Sequence, residues 1–142
     1  SIALSGSGDV DIKASVALGD LSLLLSGSGD IDIEYLDCSS VKAVVSGSGD
    51  IKIDHVECAG DAVCDLTGSG DINVDVVSDN VNVTVSGSGD ADLTVDCDVI
   101  NAKAIGTGNM KLVGTAKVLN KHSSGLASID TKKLEVEQIN LK

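Results

Sequence analysis

Ser46-Gly47-Ser48-Gly49-Asp50-Ile51-Lys52-Ile53 is one copy of a phrase that this 142-residue chain repeats throughout its length. Clear copies begin at Ser5, Ser26, Ser46, Thr67 and Ser86, and two worn copies begin at Ile105 (Ile105-Gly106-Thr107-Gly108-Asn109) and Ser124 (Ser124-Gly125-Leu126-Ala127-Ser128). Successive starts are 21, 20, 21, 19, 19 and 19 residues apart. Such a period, built from short alternating segments, predicts stacked coils that each bury an apolar face only against their neighbours.

Aligned on the phrase, the columns separate by chemistry. Val10, Ile31, Ile51, Ile72, Ala91, Met110 and Ile129 follow the acidic position, and Ile12, Ile33, Ile53, Val74, Leu93 and Leu112 come two residues later. Between them lie Asp11, Asp32, Lys52, Asn73, Asp92, Lys111 and Asp130. Alternation with period two puts the first sets inside and the third in water. A second segment precedes the phrase, with Leu4, Leu25, Val45, Leu66 and Val85 directly before it and Ile2, Leu23, Ala43, Cys64 and Val83 two residues earlier. Each coil therefore reads as two strands and a shorter connecting piece. With coils about 4.8 Å apart, seven make a rod of roughly 30–35 Å. Parallel crossovers are overwhelmingly right-handed. The expected fold is all-β: a right-handed parallel β-helix (β-solenoid) of about seven coils, about 20 residues per coil, forming a single domain over residues 1–142.

Composition agrees. Apolar residues make up 42% of the chain, but Tyr35 is its one aromatic residue and Pro is absent. A sandwich core leans on aromatics for buried area, whereas a narrow coil is filled by β-branched and small side chains. The net charge is −12: residues 1–100 carry −16 and residues 101–142 carry +4. An acidic body without Arg excludes the basic footprint that nucleic acid requires. No apolar run reaches the roughly 18 residues of a membrane span. The chain opens on strand-like residues, so it reads as part of a larger protein.

Asp9, Asp30, Asp50, Asp71 and Asp90 form a column continued by Asn109 and Ser128. Two carboxylates 5 Å apart repel by about 0.8 kcal/mol in water and about 3 kcal/mol at an effective dielectric near 20. The column thus calls for solvent, backbone N–H partners or a cation. Two readings stand: corner capping by solvated Asp side chains, or Ca²⁺ held by neighbouring carboxylates and carbonyls.

Cys38, Cys58 and Cys97 share a place in their coils, with Ser78 filling it between them, and alternation points all four inward. They are either a column of small buried side chains or, at Cys38 and Cys58 in adjacent coils, a disulfide pair. A zinc site at His55 and Cys58 is disfavoured because strand positions three apart face opposite sides. Tyr35 and His55 occupy one outward column in successive coils, a place to contact a sugar or protein. Ser is abundant only at the repeating corners, which makes it structural. Coil length varies only between 19 and 21, leaving no insertion to wall a cleft, and catalytic pockets are concave. The chain is therefore expected not to be an enzyme.

The repeated Ser-Gly-Ser-Gly-Asp-Ile phrase from Ser5 to Asp90, with Gly106-Thr107-Gly108-Asn109 as a looser copy, resembles the bacterial family called putative auto-transporter adhesin, head GIN domain. The resemblance implies a β-helical domain that is exported to the periplasm, outer membrane or cell surface, and it supplies no catalytic residues. Together these readings point to a non-enzymatic adhesin or surface scaffold presenting a repetitive acidic face to protein or glycan partners. The rival readings are a calcium-ordered structural module and a carbohydrate-active enzyme.

Overall fold

The computed structural model describes residues 2–13, 15–16 and 19–141; the side chains of Ile2, Leu4, Ser15, Val16 and Leu141 lie outside that description, and with them the inward placement expected of Ile2 and Leu4. In chain order the described strands are β1 (Ile2–Gly6), β2 (Val10–Ile12), β3 (Ser15–Val16), β4 (Asp20–Gly27), β5 (Ile31–Ile33), β6 (Leu36–Cys38), β7 (Ser40–Gly47), β8 (Ile51–Cys58), β9 (Asp61–Leu66), β10 (Ile72–Val77), β11 (Asn80–Gly87), β12 (Ala91–Gly106), β13 (Asn109–Gly125) and β14 (Ser128–Leu141). No helix occurs among the described residues.

Every pairing is parallel, and its register is the repeat of the sequence. Ile2 pairs with Leu23, Leu23 with Ala43, and Ala43 with Cys64. Cys64 pairs with Val83, Val83 with Ala102, and Ala102 with Lys121. The chain is a β-solenoid of about seven turns, with three rows of strands per turn. One row runs β1-β4-β7-β9-β11 and continues through the second halves of β12, β13 and β14. A second runs β2-β5-β8-β10 into the first halves of the same three strands, and the third begins as β3-β6-β8. The short connecting piece of each coil is thus a real third strand. In the later coils it fuses with its neighbours into strands of 16, 17 and 14 residues.

Alternation decides the core. Strand β12 reads buried-exposed almost without a break, and Leu23, Leu25, Ile31, Ile33, Leu36, Val45, Leu66, Val85 and Leu112 have no exposed surface. Each fully buried Val, Leu or Ile contributes about 1.5–3 kcal/mol, so stacked aliphatic rows can hold the rod without aromatic residues. Cys38, Cys58, Ser78 and Cys97 all point inward as expected.

The corner between the first and second rows explains the phrase itself. The carbonyl of the first Gly accepts two N–H groups from the coil above: Ser48 and Gly49 donate to Gly27 at 2.9 and 3.1 Å, and Ser69 and Gly70 to Gly47 at 2.9 and 3.2 Å. The second Gly of the phrase is buried at positions 29, 49, 70, 89 and 108. A Cβ placed on Gly49, Gly70, Gly89 or Gly108 would overlap the carbonyl oxygen of the glycine one coil below. Only hydrogen fits there.

Candidate functional site

The Asp column is built by this corner. After the two glycines the chain turns outward, and the next N–H leaves the strand ladder. A carboxylate from the neighbouring coil receives it: the N–H groups of Asp30, Asp50, Asp71, Asp90 and Asn109 donate to Oδ1 of Asp9, Asp30, Asp50, Asp71 and Asp90 at 3.0, 3.0, 2.8, 3.0 and 3.1 Å. The series closes where the Ser128 hydroxyl donates to Asn109 Oδ1 at 2.8 Å. Each carboxylate thus satisfies one backbone donor and keeps its remaining lone pairs in water, the capping geometry that offsets like-charge repulsion along the column. Among the described residues no three His, Cys, Asp or Glu side chains converge where they could hold a metal ion.

Tyr35 and His55 meet as the outward column requires. Their rings stack with centroids 5.6 Å apart and planes 22° from parallel. Glu57 ties the pair together, accepting from the Tyr35 hydroxyl at 3.4 Å and lying 3.3 Å from His55 Nε2. Desolvation, followed by the nearby Glu57 and Asp37 charges, raises the Tyr35 phenol above its ordinary value. The column stops at His55 for a structural reason. Ile53 pairs with Val74 but Val56 pairs with Val76, so Asp54 and His55 stand opposite the single residue Asp75. The aromatic pair therefore sits on the extra corner residue of the longer early coils. His55 points outward while Cys58 is buried, so the two diverge.

The Cys38 and Cys58 sulfurs lie 3.2 Å apart, and all four cysteines are free thiols in this structure. Burial pushes every one of these thiols above the ordinary value. Lys13 pairs with Glu34 at 3.0 Å, and Lys52, in register with Asp32, turns instead to Asp54 at 3.7 Å.

One column escaped the sequence reading. Asn101 donates to Asn82 at 2.7 Å, Asn120 to Asn101 at 2.7 Å and Asn140 to Asn120 at 2.8 Å, each from Nδ2 to Oδ1. This amide ladder lines a shallow groove of about 400 Å³ that also takes in Thr84, Lys103 and His122. Although no insertion walls a cleft, the first strand row is hollowed over its last four coils. The signal was available, since the four Asn residues are spaced 19, 19 and 20 apart.

Among the described residues no helix is long and apolar enough to cross a membrane. No curated protein and no solved structure matches the chain. A family described as "Putative auto-transporter adhesin, head GIN domain" matches residues 1–74 and again residues 62–142. The two matches overlap and together span every coil, so this chain belongs to the family of that description.

Proposed function

We propose that this chain is an exported, non-enzymatic solenoid that holds a repetitive acidic surface toward protein or glycan partners at the cell envelope. The observation that carries this reading is the Tyr35–His55 stack. It places the chain's one tyrosine on an outward column, braced by Glu57, on a scaffold stiffened by strand pairing along its length. Tyrosine presents a large rigid surface with a polar tip at low entropic cost, which suits recognition. Coil-to-coil uniformity supports a presenting role, because repeat stacks create extended binding surfaces. Family membership supports the adhesive sense of that role.

The test is adhesion of the purified chain, immobilised on beads, to a panel of purified envelope polysaccharides and surface proteins. Tyr35→Ala and His55→Ala are expected to weaken retention by about tenfold, the equivalent of about 1.4 kcal/mol, while leaving thermal melting unchanged. Retention that is absent from the parent chain, or untouched in both variants, overturns this reading.

A further inference from the structure

We infer that the groove over the amide ladder is a binding site for an extended acidic glycan. A primary amide offers two N–H donors and two acceptor lone pairs. Within the ladder Asn101 and Asn120 each spend one donor and one acceptor on their neighbours. Each retains one donor and one acceptor, repeated about every 4.8 Å along the rod. A regular row of paired donors and acceptors matches the vicinal hydroxyls of a polymer that advances one sugar per rung. The backbone of the stacked strands fixes the row before any ligand arrives, which lowers the ordering cost of binding.

Charge selects the acidic class. Segments 80–87, 99–106, 118–125 and 138–141 contain no Asp or Glu, although the chain carries 22 of them. Over these last four coils the row is free of acidic side chains, the nearest in the outward column being Asp65 in register with Thr84, and Lys103 lines the groove there. A polyanion repelled elsewhere on the rod meets complementary charge here. Lys103 stands next to the ladder in the outward column Thr84, Lys103, His122, set by the pairings of Thr84 with Lys103 and Lys103 with His122. Its ammonium is placed to meet a sugar carboxylate while the amides meet the ring hydroxyls.

This inference rests on the adhesive reading only in expecting a surface polymer as partner. The experiment is calorimetric titration of the whole chain with galacturonic-acid oligomers, neutral gluco-oligosaccharides of the same length and polyaspartate. Galacturonic-acid oligomers are expected to bind at least tenfold tighter than the neutral series, and more weakly as salt is raised. Lys103→Glu is expected to abolish the difference, and the double change Asn101→Ala with Asn120→Ala to weaken binding about tenfold or more. Asp32→Asn, on the second strand row, leaves it unchanged. Lys103→Glu keeps the ladder intact should the double variant fail to fold. Equal binding of polyaspartate, or insensitivity to Lys103→Glu, overturns the glycan site. Loss of oligomer binding in Tyr35→Ala alone overturns the groove and leaves the adhesive reading standing. Groove binding without any adhesion of the chain to envelope polymers does the reverse.

Independently of the groove, the geometry points to an oxidised form in which Cys38 and Cys58 are joined. The two residues are directly paired in neighbouring strands and both are buried. Adjacent strands place Cα atoms about 4.8 Å apart, inside the roughly 4.4–6.8 Å range of disulfides, and the sulfurs already touch at 3.2 Å. The co-reactant is a disulfide-bearing oxidant. One thiol loses its proton and its sulfur attacks the oxidant, expelling a thiolate. The second thiol then loses its proton and attacks the mixed disulfide, the Cys38–Cys58 S–S bond forms, and a second thiolate leaves. Two electrons and two protons pass to the oxidant.

Refolding the chain with oxidised glutathione is expected to lower its intact mass by two hydrogens. Thiol titration in denaturant then finds two free thiols instead of four. Melting should rise by about 5–10 °C over the reduced form, and Cys38→Ala with Cys58→Ala should erase that rise. Four titratable thiols after oxidative refolding overturn the pairing.

Discussion

Gly70→Ala is expected to destabilise the chain by about 3 kcal/mol or more, at or beyond the usual range for overpacking, although it adds a single methyl group. The added Cβ would overlap the Gly49 carbonyl oxygen, with the Gly49 carbon 2.8 Å and the Ser48 carbon 3.2 Å away. All three are backbone atoms, so no side chain can swing aside. Relief requires lifting one coil off the next. That breaks the N–H bonds from Ser69 and Gly70 to the Gly47 carbonyl and pulls Asp71 N–H from the Asp50 carboxylate at 2.8 Å. Position 70 lies in mid-rod, where each coil is held only by its neighbours, so the damage divides the stack instead of fraying an end. Typical domains have about 5–15 kcal/mol of stability in all. Ser69→Ala, one residue away and exposed, should change it by less than about 0.5 kcal/mol. Urea unfolding of the two variants beside the parent makes the comparison. A Gly70→Ala midpoint equal to that of Ser69→Ala would mean that the corner is not packed as described.

The same corner shows what could be read from the letters and what could not. The period, the inward columns and the shared place of Tyr35 and His55 follow from counting, because a stack turns sequence spacing directly into adjacency. The Asp column was visible too, with capping as one of its two readings. The identity of each carboxylate's partner was not, since it depends on the N–H of the next Asp turning out of the ladder, a matter of backbone path. The stop of the aromatic column at His55 needed the pairing of Val56 with Val76, a local slip that total coil lengths conceal. The amide ladder fails for another reason. Asn82, Asn101, Asn120 and Asn140 keep the period, yet they lie outside the glycine phrase on which the alignment was hung. The hollow they line is a property of the folded surface, which no column of letters encodes.

Stability is expected to collapse in alkali through the buried thiols. Cys64 lies wholly inside, between Ala43 below and Val83 above. Burial alone pushes its thiol from 9.0 up to about 12, and burial followed by the Asp96 and Asp98 charges pushes Cys97 up to about 11. The unfolded chain sheds these protons near pH 9 while the folded chain keeps them. Above that pH the unfolded state binds fewer protons, so the free energy of unfolding falls as pH rises. The contribution is therefore complete below about pH 9 and is lost progressively up to the folded values. Each thiol costs up to about 1.4 kcal/mol per pH unit in that window, so Cys64 alone removes about 2 kcal/mol between pH 9 and 11. Cys97 adds about 2 kcal/mol more, so the sum approaches the lower end of a typical domain's stability. Urea unfolding at pH 8, 9, 10 and 11 under reducing conditions should show this slope. Lysine and tyrosine titrate in the same range, but they do so equally in Cys64→Ala, whose slope should be shallower by about 1.4 kcal/mol per pH unit. That difference isolates the thiol from every other alkaline group. Parallel slopes for the parent and Cys64→Ala would show that Cys64 ionises as readily in the folded chain as in the unfolded one, and so that the row from Leu23 through Ala43 and Cys64 to Val83 does not run down a dry interior.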